Sequence, residues 1–257
     1  VGKEAYVEPV VTGDSYYFNV KVGTPPESAK VGTTAGKRAA FICLMSGSPV
    51  DYKYIRSEGS AGRMEQRLMA IVAEGKKGRV YLSPSESQLM TALQAQPEWS
   101  PEMSLPNNPR DFKTPNYGLD KFGNLFTPRQ LVALNTFSDL VGEAIVCCHE
   151  DALSSGMADD SVGLDACGTG AKAYAQAVGV YLSLAVSKLS DSCNAIVTWK
   201  PSMVQAIHLF TKQAIPMTWD FVEPNVFGNS MGDYKVTLEN MMRVLDKRIG
   251  TESLGCV

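Results

Sequence analysis

Histidine is scarce in this sequence. Only His149 and His208 occur among its 257 residues. A nucleophilic serine or cysteine needs a histidine beside it as general base, and two histidines of no known proximity do not establish such a pair. The tripeptides Asp-Thr-Gly and Asp-Ser-Gly, which supply the paired carboxylates of pepsin-like proteases, occur nowhere. These hydrolase classes are therefore not indicated.

Cysteine is present, but in no recognisable metal or disulfide spacing. The six cysteines fit no disulfide framework and no four-ligand zinc site, so free thiols and a cytoplasmic, reducing location are expected. Cys43 is followed three positions later by Ser46 and then Gly47, which has the form of a zinc knuckle with one ligand replaced. One thiolate cannot hold a structural zinc ion. We expect this chain to bind no metal.

The sequence also lacks long apolar runs and a large net charge. No stretch is expected to reach the roughly 20 apolar residues of a membrane helix, so no membrane partner is predicted. The net charge of −3 predicts no strong overall attraction to nucleic acid. With 44% hydrophobic residues, the chain can nevertheless bury a core.

Basic residues are concentrated in one region. Between Lys30 and Arg79 there are ten Lys and Arg against four Asp and Glu, which leaves 14 of 24 basic and 23 of 27 acidic residues elsewhere. Such a local excess is typical of a phosphate-binding face, although a solvated surface explains it equally well. The candidates are Lys37, Arg38, Lys53, Arg56, Arg63, Arg67, Lys76, Lys77 and Arg79.

The periodicity predicts an α+β chain, with a β-rich subdomain over residues 1–94. Tyr16–Val22 ends in the alternation typical of a strand. Further strands are predicted at Arg38–Leu44, Asp51–Ile55 and Arg79–Leu82, and short helices over residues 61–75 and behind an N-cap at Ser83.

Residues 95–124 are rich in proline and asparagine and predict a linker, and residues 125–257 predict a helical subdomain. Thr127 and Gln130 form a capping box at the start of the first helix. Four or five helices are expected. Further helices are predicted over Ala171–Leu189, from Pro201 to before Pro216, and behind an Asp233 cap.

Two stretches of this helical half resemble one protein family. LFTPRQLVAL begins at Leu125, and KQAIPMTWDFVEPNVF runs from Lys212 to Phe227. They resemble the LFTPRQLLAL and RQAxPMxWDFxExNPF stretches of the adenine-specific DNA methylases that contain a zinc ribbon. The resemblance covers roughly residues 30–250. It implies a degenerate ribbon around Cys43 and an internal segment between the cofactor-binding half and the catalytic DPPYYD loop.

By this resemblance, the chain engages DNA and supports the active site of a larger methyltransferase. The implied cofactor of that parent protein is S-adenosylmethionine; none is expected to be bound by this chain. The implied partners are DNA and the missing catalytic and cofactor-binding portions. Because no Asp-Pro-Pro-Tyr-like sequence occurs, the chain alone is predicted to be inactive. Arg129 adds to the DNA-contacting candidates, and the pocket-wall candidates are Trp219, Asp220, Phe221, Glu223 and Asn225.

The carboxylates of Asp220 and Glu223 lie among aromatic residues, and a carboxylate in such surroundings needs a charged or hydrogen-bonding partner. Arg129 or Lys212 is expected to supply one. One interpretation is a buried ion pair between two helices, and the other is a wall of the methylase pocket or DNA cleft.

Two other functions remain open. The helices of a non-enzymatic interaction module could bind a protein that holds the catalytic half. A small complete methyltransferase could instead use the stretch from Leu164 to Gly170 (LDACGTG) as its cofactor loop. That loop should follow a buried strand, and the residues before it do not predict one.

Overall fold

The computed structural model describes residues 4–35, 41–211 and 213–248, and it has the predicted α+β class, with antiparallel strands first and long helices later. The strands are β1 Ala5–Thr12, β2 Ser15–Val22, β3 Phe41–Ile42, β4 Pro49–Val50, β5 Ile71–Gly75, β6 Gly78–Leu82, β7 Thr198–Lys200 and β8 Gln205–Ile207. The helices are α1 Glu27–Val31, α2 Tyr52–Ser60, α3 Glu86–Leu93, α4 Pro128–Ser154, α5 Ala171–Ser190 and α6 Tyr234–Arg248.

The chain divides into two compact units. The N-terminal unit contains Val1–Ala95 and Thr114–Asp120, and the helical unit contains Gln96–Lys113 and Lys121–Val257. The stretch interpreted as a linker thus contributes residues to both units. It includes two 3-10 turns, Thr114–Tyr117 and Phe122–Leu125.

The N-terminal unit is built from separate two-stranded hairpins: β1 pairs with β2, β3 with β4, and β5 with β6. The β1–β2 pairing confirms the strand predicted at Tyr16–Val22. Because opposite residues of an antiparallel pair share a face, one face of this hairpin is entirely apolar. The residues of this face are Ala5, Val7, Pro9, Val11, Tyr16, Phe18, Val20 and Val22. None of their side chains is fully buried.

Three predictions in this unit are wrong. Asp51–Ile55 is not a strand: the Asp51 side chain accepts a hydrogen bond from the Tyr54 amide at 2.7 Å and caps helix α2. Residues 61–75 do not form a helix, because Ile71–Gly75 pairs with Gly78–Leu82 across a tight turn. That pairing confirms the strand at Arg79–Leu82. The next helix is capped by Ser85 instead of Ser83.

The buried centre of the N-terminal unit is the junction between α2 and the turn Thr114–Tyr117. Gly59 lies against this turn so closely that an added Cβ would come within 2.5 Å of the Tyr117 carbonyl oxygen. Thr114 and Tyr117 are buried there as well. A side chain at position 59 would therefore separate the two elements.

In the helical unit, α4 and α5 pack side by side. Thr127 and Gln130 form the predicted capping box, and α5 confirms the prediction of a helix over Ala171–Leu189. An added Cβ at Gly179 of α5 would meet Ile145 of α4 at 2.5 Å, so glycine permits this close packing. Helix α6 lies against α5.

The helix predicted from Pro201 is absent from the described residues there; β7 and β8 form a hairpin whose turn contains Pro201. Helix α6 begins after Asp233, as predicted, and the Asp233 side chain accepts from the Val236 amide at 3.1 Å. The described part of this unit therefore contains three long helices instead of a bundle of four or five. The unit also contains a small apolar core, formed by Leu105, Leu125 and Ile196 with Phe112, Phe122, Phe126, Leu209 and Ile215.

Within the described residues, α4 is the one helix with the length and composition to cross a membrane, and 17% of its apolar stretch is buried. The prediction that no stretch approaches such a length is wrong for α4 on these two criteria. Core helices of soluble proteins share this composition, so the absence of a membrane partner stays a prediction.

Candidate functional site

An ion pair joins the two stretches that carry the family resemblance. Arg129, in the first turn of α4, donates from Nε and a terminal nitrogen to the two carboxylate oxygens of Glu223, each at 2.9 Å. This bidentate geometry is the strongest arrangement available to an arginine and a carboxylate. The hydrogen bond from Arg129 to Glu223 raises the pKa of Arg129 above its usual value. Partial burial of the guanidinium lowers this pKa, but by less.

The pair differs in two respects from the predicted buried bridge between helices. Only Arg129 lies on a helix, since residues 213–227 form no regular helix. The side chains of Arg129 and Glu223 are 33% and 29% exposed. The other predicted partner, Lys212, lies outside the described residues.

The stretch that contains Glu223 is held in place by its backbone. Ile215 exchanges hydrogen bonds with the backbone of Asp111 and Lys113. Further along, the Val222 amide donates to the Val197 carbonyl at 2.8 Å, and Phe221 bridges Thr198. The stretch therefore runs as an added edge beside two other segments of the same unit. This placement brings Glu223 to the start of α4.

The remaining pocket-wall candidates follow one another along this stretch and differ in exposure. Trp219 is 44% exposed, and Asp220 is exposed beside it. Phe221 is half-buried. Asn225 forms a turn, because its side-chain oxygen accepts from the Phe227 amide at 3.0 Å. An aromatic and carboxylate surface is thus presented next to the ion pair.

Cys193 is 2% exposed and feels the charge of Glu223. Burial raises the pKa of the Cys193 thiol to about 12, and the negative charge of Glu223 adds to the effect. The thiol therefore stays protonated at neutral pH, which suits a packing role better than a nucleophilic one.

A second buried carboxylate with several partners was not predicted from the sequence. The Asp191 side chain, at the end of α5, is 3% exposed and accepts from Lys188 Nζ at 2.7 Å and from the Phe210 amide at 2.8 Å. The Nδ1 atom of His208 lies 2.8 Å from the same carboxylate. Burial raises the pKa of Asp191, but the hydrogen bonds from Lys188 and Phe210 outweigh it, so the pKa of Asp191 lies below its usual value.

Asp191 and His208 are 17 positions apart, and β7 and β8 lie between them. Only the β7–β8 hairpin returns His208 to the end of α5. The sequence predicted His208 within a helix, so it gave no signal for this contact.

The basic candidates of the N-terminal unit differ in the ion pairs and ring contacts that they form. Arg63 forms an ion pair with Glu58 at 2.6 Å, and Arg79 lies opposite Glu74 in the β5–β6 register. The Arg67 guanidinium stacks 4.3 Å from the Tyr16 ring centroid and donates to the Tyr16 carbonyl. Lys37 and Arg38 lie outside the described residues.

Arg56 is positioned by aromatic rings. Its guanidinium carbon lies 5.5 Å from the Tyr52 ring centroid and 5.7 Å from that of Tyr117. Lys53 lies one turn earlier on α2, so the two exposed cations share one side of the helix. Lys76 and Lys77 are exposed at the tip of the β5–β6 hairpin.

Cys43 lies at the beginning of the turn between β3 and β4. Its amide donates to the Ser48 carbonyl at 2.9 Å, and the Gly47 amide donates back to its carbonyl at 2.9 Å. A hydrogen bond from the Ser46 side chain lowers the pKa of the Cys43 thiol. No group of three or more His, Cys, Asp or Glu side chains that could hold a metal occurs in the described part of the chain.

The glycine-rich stretch from Leu164 to Gly170 does not fit a cofactor loop. Residues 155–163, which precede it, form no strand. An added Cβ at Gly168 would come within 2.2 Å of the Val162 carbonyl oxygen, so the glycine admits the loop's own backbone. The Asp160 carboxylate accepts from the Val162 and Thr169 amides, each at 3.0 Å. The Asp160 hydrogen bonds and the close backbone approach at Gly168 therefore stabilise the conformation of the loop itself.

Comparison with known proteins adds no relative: no family model, curated protein or solved structure matches this chain.

Proposed function

We propose that this chain is an internal segment of an S-adenosylmethionine-dependent DNA adenine methyltransferase-like protein, in which it contacts DNA and supports the active site. The observation that carries the proposal is the bidentate contact between Arg129 and Glu223. Each residue comes from one of the two stretches that resemble the methylases. A direct contact between the two stretches gives a physical reason for both to occur in one sequence.

In this proposal, the ion pair between Arg129 and Glu223 holds the exposed surface of Trp219 and Asp220 beside the start of α4. The chain supplies a supporting wall, while the cofactor and the catalytic loop belong to the remaining portions of the parent protein. S-adenosylmethionine would donate the methyl group there, and no step of the transfer is assigned to this chain.

DNA contact is proposed for four cations of the N-terminal unit. Lys53 and Arg56 share a side of α2, and Lys76 and Lys77 occupy a hairpin tip. Phosphate contact is favoured at these positions because they are exposed and Arg56 is oriented by two rings. Arg63 is a poorer candidate because Glu58 already neutralises it.

Fluorescence anisotropy with a labelled DNA duplex tests this contact. The affinity should fall steeply with salt, and Arg56→Gln should reduce the slope of log K against log salt by about 1. Arg63→Gln is the matched control and should leave the slope nearly unchanged. Binding that ignores salt, or no binding at low salt, would refute the DNA contact.

Calorimetric titration of S-adenosylmethionine into the purified chain tests the assignment as a segment. No binding is expected. Micromolar binding would overturn the proposal, since it would make the stretch from Leu164 to Gly170 a cofactor site.

A second candidate function, a protein-interaction module, is favoured by the apolar face of the β1–β2 hairpin. A two-stranded hairpin is marginally stable alone, and Val11 and Val22 on this face are 44% and 59% exposed. Association with separately produced catalytic and cofactor-binding portions would support it. Such an interface should be nearly insensitive to salt, whereas the DNA contact should weaken by orders of magnitude.

A further inference from the structure

Arg56 is an exposed cation that contacts aromatic rings instead of a carboxylate. Its guanidinium carbon lies 5.5 Å from the ring centroid of Tyr52 and 5.7 Å from that of Tyr117. In the part of the chain that the structure describes, Arg56 forms no ion pair, unlike Arg63, which pairs with Glu58. A neutral ring attracts a cation without cancelling its charge. The positive charge of Arg56 therefore stays available to an anion.

The Tyr117 ring reaches Arg56 because two glycines let the backbone of α2 touch the turn Thr114–Tyr117. An added Cβ at Gly59 would come within 2.5 Å of the Tyr117 carbonyl oxygen, and one at Gly118 within 2.3 Å of the Gly59 carbonyl oxygen. Gly118 also has a φ of +78°, which glycine adopts without strain. Tyr117 is 6% exposed at this crossing, so close packing leaves its ring little freedom to move away.

The other ring is fixed from the opposite end of the same helix. Tyr52 and Arg56 are four residues apart on α2, so their side chains are neighbours on one side of the helix. Phe41 of β3 meets Tyr52 edge-on, with ring centroids 5.8 Å apart and ring planes at 89°. Strand β3, helix α2 and the turn, all in the N-terminal unit, thus contribute to the surroundings of one guanidinium.

An arginine that is held before its ligand arrives binds that ligand more tightly. A freely rotating arginine side chain loses rotamer freedom when it contacts a phosphate group, and this loss weakens binding. Ring contacts that already restrict the guanidinium reduce the loss, because part of the freedom was given up when the protein folded.

We propose that Tyr52 and Tyr117 are positioning residues for nucleic acid, which hold the Arg56 guanidinium ready for a backbone phosphate of DNA. Their effect on binding passes through Arg56 and requires no contact between either ring and DNA. This positioning role rests on the proposed function, since Arg56 must contact DNA for its position to matter.

Fluorescence anisotropy of the full chain with a labelled DNA duplex, at one salt concentration, tests the positioning role. Tyr117→Leu and Tyr52→Leu should each weaken the affinity about 2- to 5-fold, the range of a single contact between a cation and a ring. Tyr117→Phe should retain the affinity, because it keeps the ring. The slope of log K against log salt should stay unchanged in all three variants, because Arg56 itself remains.

A double-mutant cycle separates positioning from an effect on folding. In an Arg56→Gln background, Tyr117→Leu should have no further effect on the affinity, since no guanidinium remains to be positioned. A tyrosine with only a structural role would weaken binding in both backgrounds. Tyr16→Leu is the matched control and should leave the affinity unchanged. The Tyr16 ring lies 4.3 Å from the Arg67 guanidinium, which is not among the four cations proposed to contact DNA.

The results keep the positioning role and the DNA contact apart. If Arg56→Gln changes neither the affinity nor the salt slope, the DNA contact of Arg56 is wrong, and the positioning role is wrong with it. If Arg56→Gln lowers the slope but neither Tyr117→Leu nor Tyr52→Leu weakens binding, the DNA contact stands and the positioning role is overturned. An equal loss of affinity with and without Arg56 overturns it as well.

Discussion

Arg129 and Glu223 show how much one residue pair contributes to the candidate site. Their atoms meet at 2.9 Å although the residues are 94 positions apart. The side chains are about one-third exposed, so solvent screening limits the energy of the contact. The pair therefore serves chiefly to position the edge stretch beside α4.

A double-mutant cycle measures this contribution. Arg129→Ala and Glu223→Ala should each lower the free energy of unfolding in urea, with a coupling energy of about 1 kcal/mol, because the geometry is bidentate but partly exposed. The same cycle at Glu58 and Arg63 is a control without a tertiary role. A coupling near zero at Arg129 and Glu223 would contradict the positioning role.

The cysteine thiols should differ in reactivity. Cys43 is half-exposed with a lowered pKa, whereas Cys193 is buried with a pKa raised to about 12. At pH 7.5, Cys43 should be alkylated much faster than Cys193, because the thiolate is the reacting species. Mass spectrometry of the labelled peptides gives each rate.

Ser46→Ala should slow the labelling of Cys43, because it removes the hydrogen bond that stabilises the thiolate. The exposed Cys167 provides an internal reference that this change should not affect. Equal slowing at both positions would indicate an unrelated cause.

At the scale of elements, local signals were sufficient where capping and periodicity agreed. Thr127 and Gln130 marked the start of α4, and the apolar spacing behind Ala171 marked α5. The signals failed where turn chemistry competed with periodicity. The apolar spacing over residues 61–75 predicted a helix, but the turn after Gly75 pairs Ile71–Gly75 with Gly78–Leu82 in a hairpin instead.

The N-cap of α4 supplies a prediction at this scale. Thr127 is fully buried, and its side chain accepts from the Gln130 amide. Thr127→Ala should destabilise the chain by about 1–2 kcal/mol, measured by urea unfolding, while Thr127→Ser should retain most of the stability. Thr136→Ala, at an exposed position of the same helix, should change it by less than about 0.5 kcal/mol.

At the scale of the whole molecule, acid stability should depend on Asp191. Its pKa is depressed in the folded state, so its carboxylate stabilises the fold above the pKa of about 3.9 of an unfolded aspartate. That contribution is lost as the pH falls through the lower folded pKa. Asp191→Asn should therefore reduce stability at pH 7 and flatten the loss of stability below pH about 4. Urea unfolding across this pH range measures both.

Asp139→Asn is a suitable comparison, since Asp139 is an exposed carboxylate of the same unit. A variant at Asp191 with an unchanged pH profile would show that the carboxylate does not govern acid stability.

The sequence by itself determined the α+β class, the start of α4, helix α5 and the Asp233 cap, because hydrogen bonds and side-chain spacing within a few residues decide each of them. It also indicated Arg129 as a partner for the carboxylates near Trp219. Only the tertiary structure decided that this partner is paired with Glu223, that His208 meets Asp191, and that Gly179 of α5 packs against Ile145 of α4. These contacts join residues distant along the chain, and packing brings them together, which no local pattern encodes.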